Sequence, residues 1–256
     1  MNVPFVQKKR DEGRSSRGSE DDLIVATNPK SSFAEAVKSI KTNLMFSSVE
    51  KEAKVMLITS PESGDGKSFL VANLAAAFAQ DGKKVLVIDG DMRKGRQHKI
   101  FGVVNDPTVG YSNYILKYKD MSDAGMMAFI RPEMYIRQTK LPNVYLLPSG
   151  PTPPNPLELI SSDNNKRLIE SVREQYDVII IDCPPALGLS DALVMSKYSD
   201  INIVCVSNAK TKIDQLESVK KSFEKVNSKI SGVVINKAKV KGGSYSSYYA
   251  DEYYSK

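Results

Sequence analysis

The chain has 256 residues, 41% of them hydrophobic and 26% charged, and a formal net charge of +6, which is the make-up of one large soluble α/β domain with tails. No stretch approaches the ~18 uninterrupted apolar residues of a membrane span, and the N-terminal segment is polar with no signal-peptide core. Two cysteines without C-x-x-C spacing, Cys183 and Cys205, argue against a disulfide framework, a zinc site or an iron–sulfur cluster, and His98 as the sole histidine argues against a Ser-His-Asp triad.

Residues 1–30 mix charges of both signs with Ser and Gly and read as a flexible arm, with one short ordered piece at Leu23–Ala26. A helix is expected from Ser32, because Phe33, Val37, Ile40 and Leu44 fall on one face. Val55 to Thr59 is a β-branched and apolar strand that runs into the loop SPESGDGKS. Gly64 and Gly66 let that backbone approach a polyphosphate with its N–H groups turned inward. The helix opened by Gly66-Lys67-Ser68 adds the positive end of its dipole. Lys67 would reach the terminal phosphates and the Ser68 hydroxyl would ligate magnesium. The loop departs from G-x-x-x-x-G-K-[ST] in having Pro61 where the first glycine belongs.

That helix should end at Gly82, and a strand at Val85–Ile88 ends in Asp89, Asp91 and Arg93. Residues 102–142 read as irregular apart from a short helix near 112–118. A strand at 144–147, a proline-rich loop at 148–156 and helices at 157–161 and 164–175 follow. The most apolar strand, 178–181, then runs into Asp182. A helix near 190–197, a strand at 201–206, a helix at 212–227 and a strand at 232–236 complete the pattern. Six or more strands alternating with helices predict an α/β fold, a parallel sheet flanked by helices, of the phosphate-loop NTPase kind. Its ligand belongs beyond the carboxyl ends of the strands. The expected units are an arm at 1–30, a catalytic domain at 31–241 and a tail at 242–256.

Asp89 and Asp91 at i, i+2 can aim two carboxylates at one phosphate–metal centre, and Asp182 ends an apolar run as the magnesium-holding aspartate of phosphate-loop NTPases does. Each motif alone also fits a turn or cap residue. Basic residues gather at Arg93, Lys94, Arg96 and Lys99 and at Lys237, Lys239 and Lys241. Such a rim suits acidic nucleotides, an acidic peptide or an anionic membrane face, or is simply solvated.

Taken together, SGDGKS (63–68), VLVIDGDMR (85–93) and VIIIDCPP (178–185) resemble the Walker A, A′ and B motifs of the bacterial tyrosine kinases of capsule and exopolysaccharide synthesis. The likeness extends to GPTPPNPLELI (150–160) and to the tail, where Tyr245, Tyr248, Tyr249, Tyr253 and Tyr254 are five of the chain's 12 tyrosines. Clustered tyrosines in a polar tail make little sense as core and good sense as phosphoacceptors.

The resemblance implies an ATP-dependent protein-tyrosine kinase with magnesium, which autophosphorylates its tail in trans and regulates polysaccharide synthesis and export. Its nucleotide-binding residues would be Ser63, Gly64, Asp65, Gly66, Lys67, Ser68 and Phe69, with Asn236 either touching the adenine or serving as a turn residue. Metal ligands would be Ser68, Asp91 and Asp182. Lys67, Asp89, Asp91 and Arg93 would be catalytic, the proton acceptor being Asp89 or, with roles reversed, Asp91. The family's Glu-x-x-Arg-x-x-Arg oligomerisation motif falls on Glu35, Lys38 and Lys41. Lysine keeps the charge and loses bidentate geometry; alternatively Ser32 and Glu35 form a local capping box.

The implied partners are further copies of the chain, a separate transmembrane activator docking near Ile100–Val104 and Phe69, a protein-tyrosine phosphatase and other protein substrates. The implied location is cytoplasmic, at the inner face of the membrane. A positioning ATPase resembling the partition and division-site proteins is the alternative. Those carry a signature lysine where this chain has Glu62. Nucleic-acid binding leaves the Walker motifs unexplained and is not expected.

Overall fold

Runs of β-branched and apolar residues build the sheet. The computed structural model describes residues 2–4, 22–46, 53–104, 106–119, 131–208 and 210–238. Its strands are Asn2–Pro4 (β1), Val55–Thr59 (β2), Val85–Asp89 (β3), Arg137–Gln138 (β4), Val144–Leu147 (β5), Val178–Asp182 (β6), Ile201–Ser207 (β7) and Gly232–Ala238 (β8). They form one sheet in the order β1-β8-β7-β2-β6-β3-β5-β4, parallel throughout except for β4 against β5. β2, β3, β6 and β7 are buried along their whole length. Strands without a polar face need cover on both sides, and helices supply it.

On one face lie Ile24–Thr27 (α1), Ser32–Phe46 (α2), Lys67–Gln80 (α3) and Gln97–Ile100 (α4). The apolar stripe of α2, Phe33, Val37, Ile40 and Leu44, packs with Leu70, Leu74 and Phe78 of α3 over Met56, Ile58, Val85 and Val87 of the sheet. The other face carries Tyr111–Lys119 (α5), Pro156–Ile160 (α6), Asp163–Gln175 (α7), Asp191–Met195 (α8) and Ile213–Lys225 (α9). Ile115, Leu168, Val172, Val219 and Phe223 there meet Leu57, Leu86, Ile88 and Ile181.

The strand order positions the site. β2 leads through α3 to β3, and β6 is inserted between the two. Ile58 therefore lies opposite Asp182, and Asp182 opposite Asp89, so three chain-distant strand tips are neighbours.

Some of the structure departs from the expected pattern. The expected 1–30 arm has its short ordered piece at α1 and contains in addition β1, which pairs with β8; a three-residue strand has no readable periodicity. The two-residue β4 and the one-turn α4 were hidden in the same way. The first turn of α2 is capped by Ser31, whose Oγ accepts from the Ala34 N–H at 3.2 Å. The expected capping box between Ser32 and Glu35 is therefore absent, and the Glu35 carboxylate pairs with Lys38 at 2.8 Å instead. The expected tail at 242–256 and its tyrosines lie outside the described residues.

Candidate active site

The loop over 60–66 is held from outside by residues far along the chain. Lys210 Nζ donates to the Ser63 carbonyl at 3.0 Å and Lys237 Nζ to the Gly64 carbonyl at 2.6 Å. Asn236 Nδ2 donates to the Asp65 carbonyl at 2.9 Å. With three successive carbonyls fastened this way, the peptide N–H groups are left for the opposite side, the arrangement that cradles phosphate. Gly66 sits at φ +98°, and a Cβ there would come within 1.9 Å of Asn236 Nδ2, so both backbone and space demand glycine. Asp65 is buried and braces the loop internally, accepting from the Glu62 N–H at 3.0 Å.

Behind the loop the three aspartates close around Lys67. Its Nζ stands 3.3 Å from Asp91 Oδ2 and 3.4 Å from Asp182 Oδ1, and donates to Ser68 Oγ at 3.4 Å. Burial alone would lower the Lys67 pKa, but the charges of Asp182, Asp91 and Asp89 outweigh it and hold the lysine above its ordinary value. Asp89 is fully buried; burial first, and the Asp182 carboxylate second, push its carboxyl up to about 8. Asp91 Oδ1 accepts from the Lys94 N–H at 2.9 Å, which fixes the turn after β3. Gly95 lets that turn pass, since a Cβ would lie 2.2 Å from Ser149 Oγ and 2.9 Å from Asp89 Oδ2.

The donor set fits a hard divalent cation. Asp89 Oδ1 and Asp182 Oδ1 are buried and accept no hydrogen bond. Asp182, Asp91 and the Ser68 hydroxyl, gathered at Lys67, offer oxygens of the kind magnesium takes, with Asp89 beside them. Among the described residues no three His, Cys, Asp or Glu side chains form a protein-only cage, and magnesium completes its shell with water and phosphate.

Lys67, Ser68, Asp91 and Asp182 are thus brought together, with Asp89 in register beside Asp182. Other expected residues are engaged elsewhere. Arg93 pairs with Asp191, a buried residue in the first turn of α8, at 2.5 Å. The Phe69 ring packs on Phe33 with centroids 5.0 Å apart. Asn236 spends its amide on the loop, and its Oδ1 accepts from the Lys237 N–H at 2.8 Å. Lys41 is buried, donating to the Ala77 carbonyl and pairing with Asp81, whereas Glu35 is exposed and Lys38 half-buried. In the expected activator contact, Ile100 is buried and Val104 is 82% exposed. A cavity of about 570 Å³ between α9 and the start of β8 lies at the other end of the strands.

Two residues of this site, Gln97 and Lys210, carry no specific sequence signal, and Lys237 is legible only as one of a basic rim. Gln97 is one polar residue in a basic stretch, and no charge or glycine spacing marks it.

A family model described as an AAA domain matches residues 53–232. The tyrosine-protein kinase YwqD of Bacillus subtilis (strain 168) is 37% identical over 238 residues, covering 92% of this chain and 95% of that protein. Among solved structures, the chimerical protein CapA2B2 is 32% identical with a TM-score of 0.78, covering 93% of each chain. The kinase domain of Escherichia coli tyrosine kinase ETK is 28% identical with a TM-score of 0.80, covering 95% of this chain and 91% of that one. Likeness of this extent, on a phosphate loop and acidic strand tips assembled as such chemistry requires, makes the chain a member of the bacterial tyrosine-protein kinases, a protein-tyrosine kinase on the phosphate-loop NTPase fold.

Proposed function

We propose that the site binds magnesium ATP and phosphorylates the C-terminal tyrosines of a neighbouring copy of the chain. The observation that carries this reading is the convergence of Lys67 on Asp91, Asp182 and Ser68 within 3.4 Å. Lys67 and the N–H groups from Gly64 to Ser68 hold the phosphates. Ser68, Asp91 and Asp182 hold the metal, which when bound neutralises charge on the β- and γ-oxygens. Asp89 orients the tyrosine hydroxyl and, ionised once a cation sits beside it, takes its proton. The phenolic oxygen bonds to the γ-phosphorus as the bond to the β–γ bridging oxygen breaks, and ADP leaves. A loose transition state demands positioning more than a strong base. Arg93 balances charge on exchanging its Asp191 partner for phosphate.

The acceptors are Tyr245, Tyr248, Tyr249, Tyr253 and Tyr254. Each phosphate adds about 1.5 to 2 negative charges, so five would add roughly 8 to 10 and loosen any assembly built on tail-in-site docking. Exposed Glu35 and half-buried Lys38 on α2 are the residues available for contact between copies, Lys41 being committed internally. Among the described residues no helix is long and apolar enough to cross a membrane. In this reading a separate transmembrane activator recruits the kinase to the inner membrane face, with exposed Val104 and Phe46 as apolar contacts. A phosphatase resets the tail, and the cycle regulates capsular or exopolysaccharide synthesis and export.

Mixing tests the central claim. A Lys67→Met protein with an intact tail is combined with active protein lacking residues 243–256. Phosphotyrosine on the intact tail is the expected result, and its absence rules out transfer in trans.

A further inference from the structure

We propose that Gln97 is a positioning residue for the metal-bound nucleotide, joining all three motifs and offering its carbonyl oxygen to a water on the cation. The proposal rests on the magnesium–nucleotide reading of the site above. Gln97 is wholly buried at the start of α4, beyond the turn that follows β3. Its backbone N–H donates to Asp89 Oδ2 at 3.0 Å. Its side-chain Nε2 donates to Asp182 Oδ2 at 2.8 Å and to the Ser68 carbonyl at 3.1 Å. One residue therefore ties the tip of β3, the tip of β6 and the first turn of α3.

The orientation of the amide follows from its partners. Two acceptors, a carboxylate oxygen and a carbonyl, face the same nitrogen, so the nitrogen must be the end directed at them. That leaves Oε1, an acceptor only, buried and without a hydrogen-bond partner. Asp182 Oδ1, on the carboxylate that Gln97 holds, has no hydrogen bond and faces the Lys67 ammonium at 3.4 Å. A buried acceptor left unpaired is costly, so Oε1 is placed for something that donates. Phosphate oxygens only accept and do not satisfy it. Water on a divalent cation only donates, and does. Residues that orient the ligands of a metal in this way typically govern its affinity.

Gln97→Met tests the assignment. It keeps the volume and the backbone bond to Asp89 while removing the amide. Binding of N-methylanthraniloyl-ADP is followed by fluorescence across a magnesium titration and again in EDTA, with thermal unfolding of the free protein as a control. The magnesium needed for half-saturation should rise about tenfold, while affinity in EDTA stays within roughly twofold. An unchanged magnesium requirement, or an equal loss with and without metal, would make Gln97 a brace for the loop and overturn the proposal. Should Gln97→Met not fold, Gln97→Ala, with water in place of the side chain, gives the same comparison. Failure of the underlying site reading looks different: wild-type protein would then show no gain in binding with magnesium, and Lys67→Met would bind like wild type.

Discussion

Asp89 keeps a proton in the free protein because it has no solvent and lies beside another carboxylate. Its folded pKa of about 8 is above the ordinary 3.8, so the folded chain is the better proton binder in between. The resulting stability is complete below pH 3.8 and is lost as pH rises through 8. Urea unfolding of metal-free protein from pH 4 to pH 9 should show this decline, and Asp89→Asn should flatten it relative to wild type. Asn236 makes a different residue-scale prediction. Its bond to the Asp65 carbonyl is a single hydrogen bond, worth about 1 kcal/mol. Asn236→Ala should therefore weaken nucleotide binding roughly fivefold, read by fluorescence titration, with little change in the maximal phosphorylation rate. Neither role was legible in the residues themselves. An aspartate at a strand tip and the asparagine that ends GVVIN look alike in any α/β chain until the sheet order sets their neighbours.

At the scale of single elements, helix α2 shows how close a local reading comes. Its apolar stripe at Phe33, Val37, Ile40 and Leu44 predicted both the helix and its buried face. The Ser32 capping box, one of two readings of that turn, lies one residue from the actual cap at Ser31, because adjacent serines are equally competent caps. The deciding contact is the turn that brings the Ser31 N–H onto the Asn28 carbonyl at 3.1 Å, which three-residue spacing rules do not see. Ser31→Ala should cost about 1 kcal/mol in urea unfolding, and Ser32→Ala should stay close to neutral. The turn carrying Gly95 is the other sensitive element. Gly95→Ala would drive a methyl group against Ser149 and Asp89, and should lower phosphorylation while leaving the magnesium-free protein folded by circular dichroism.

Across the whole molecule, the elements most legible in the sequence are those buried on both faces, since β2, β3, β6 and β7 need near-continuous apolar runs whatever their order. That order, β7-β2-β6-β3, is a through-space fact, and with it came the partners Gln97, Lys210 and Lys237. Because the site draws on the β2 loop, both acidic tips and the end of β8, occupying it should stiffen most of the sheet. Magnesium–nucleotide at about a hundredfold its dissociation constant stabilises by about 2.7 kcal/mol, on the order of 5–10 °C in midpoint. Differential scanning fluorimetry should show that shift for wild type and its loss in Lys67→Met. The outermost strands have a further consequence. β1 has three residues, one of them Pro4 with no N–H to offer, and β4 has two. Among the described residues both flanks of the ribbon are short and blunt and offer little template for the accretion of another chain, so contact between copies of this kinase is expected through helices and loops.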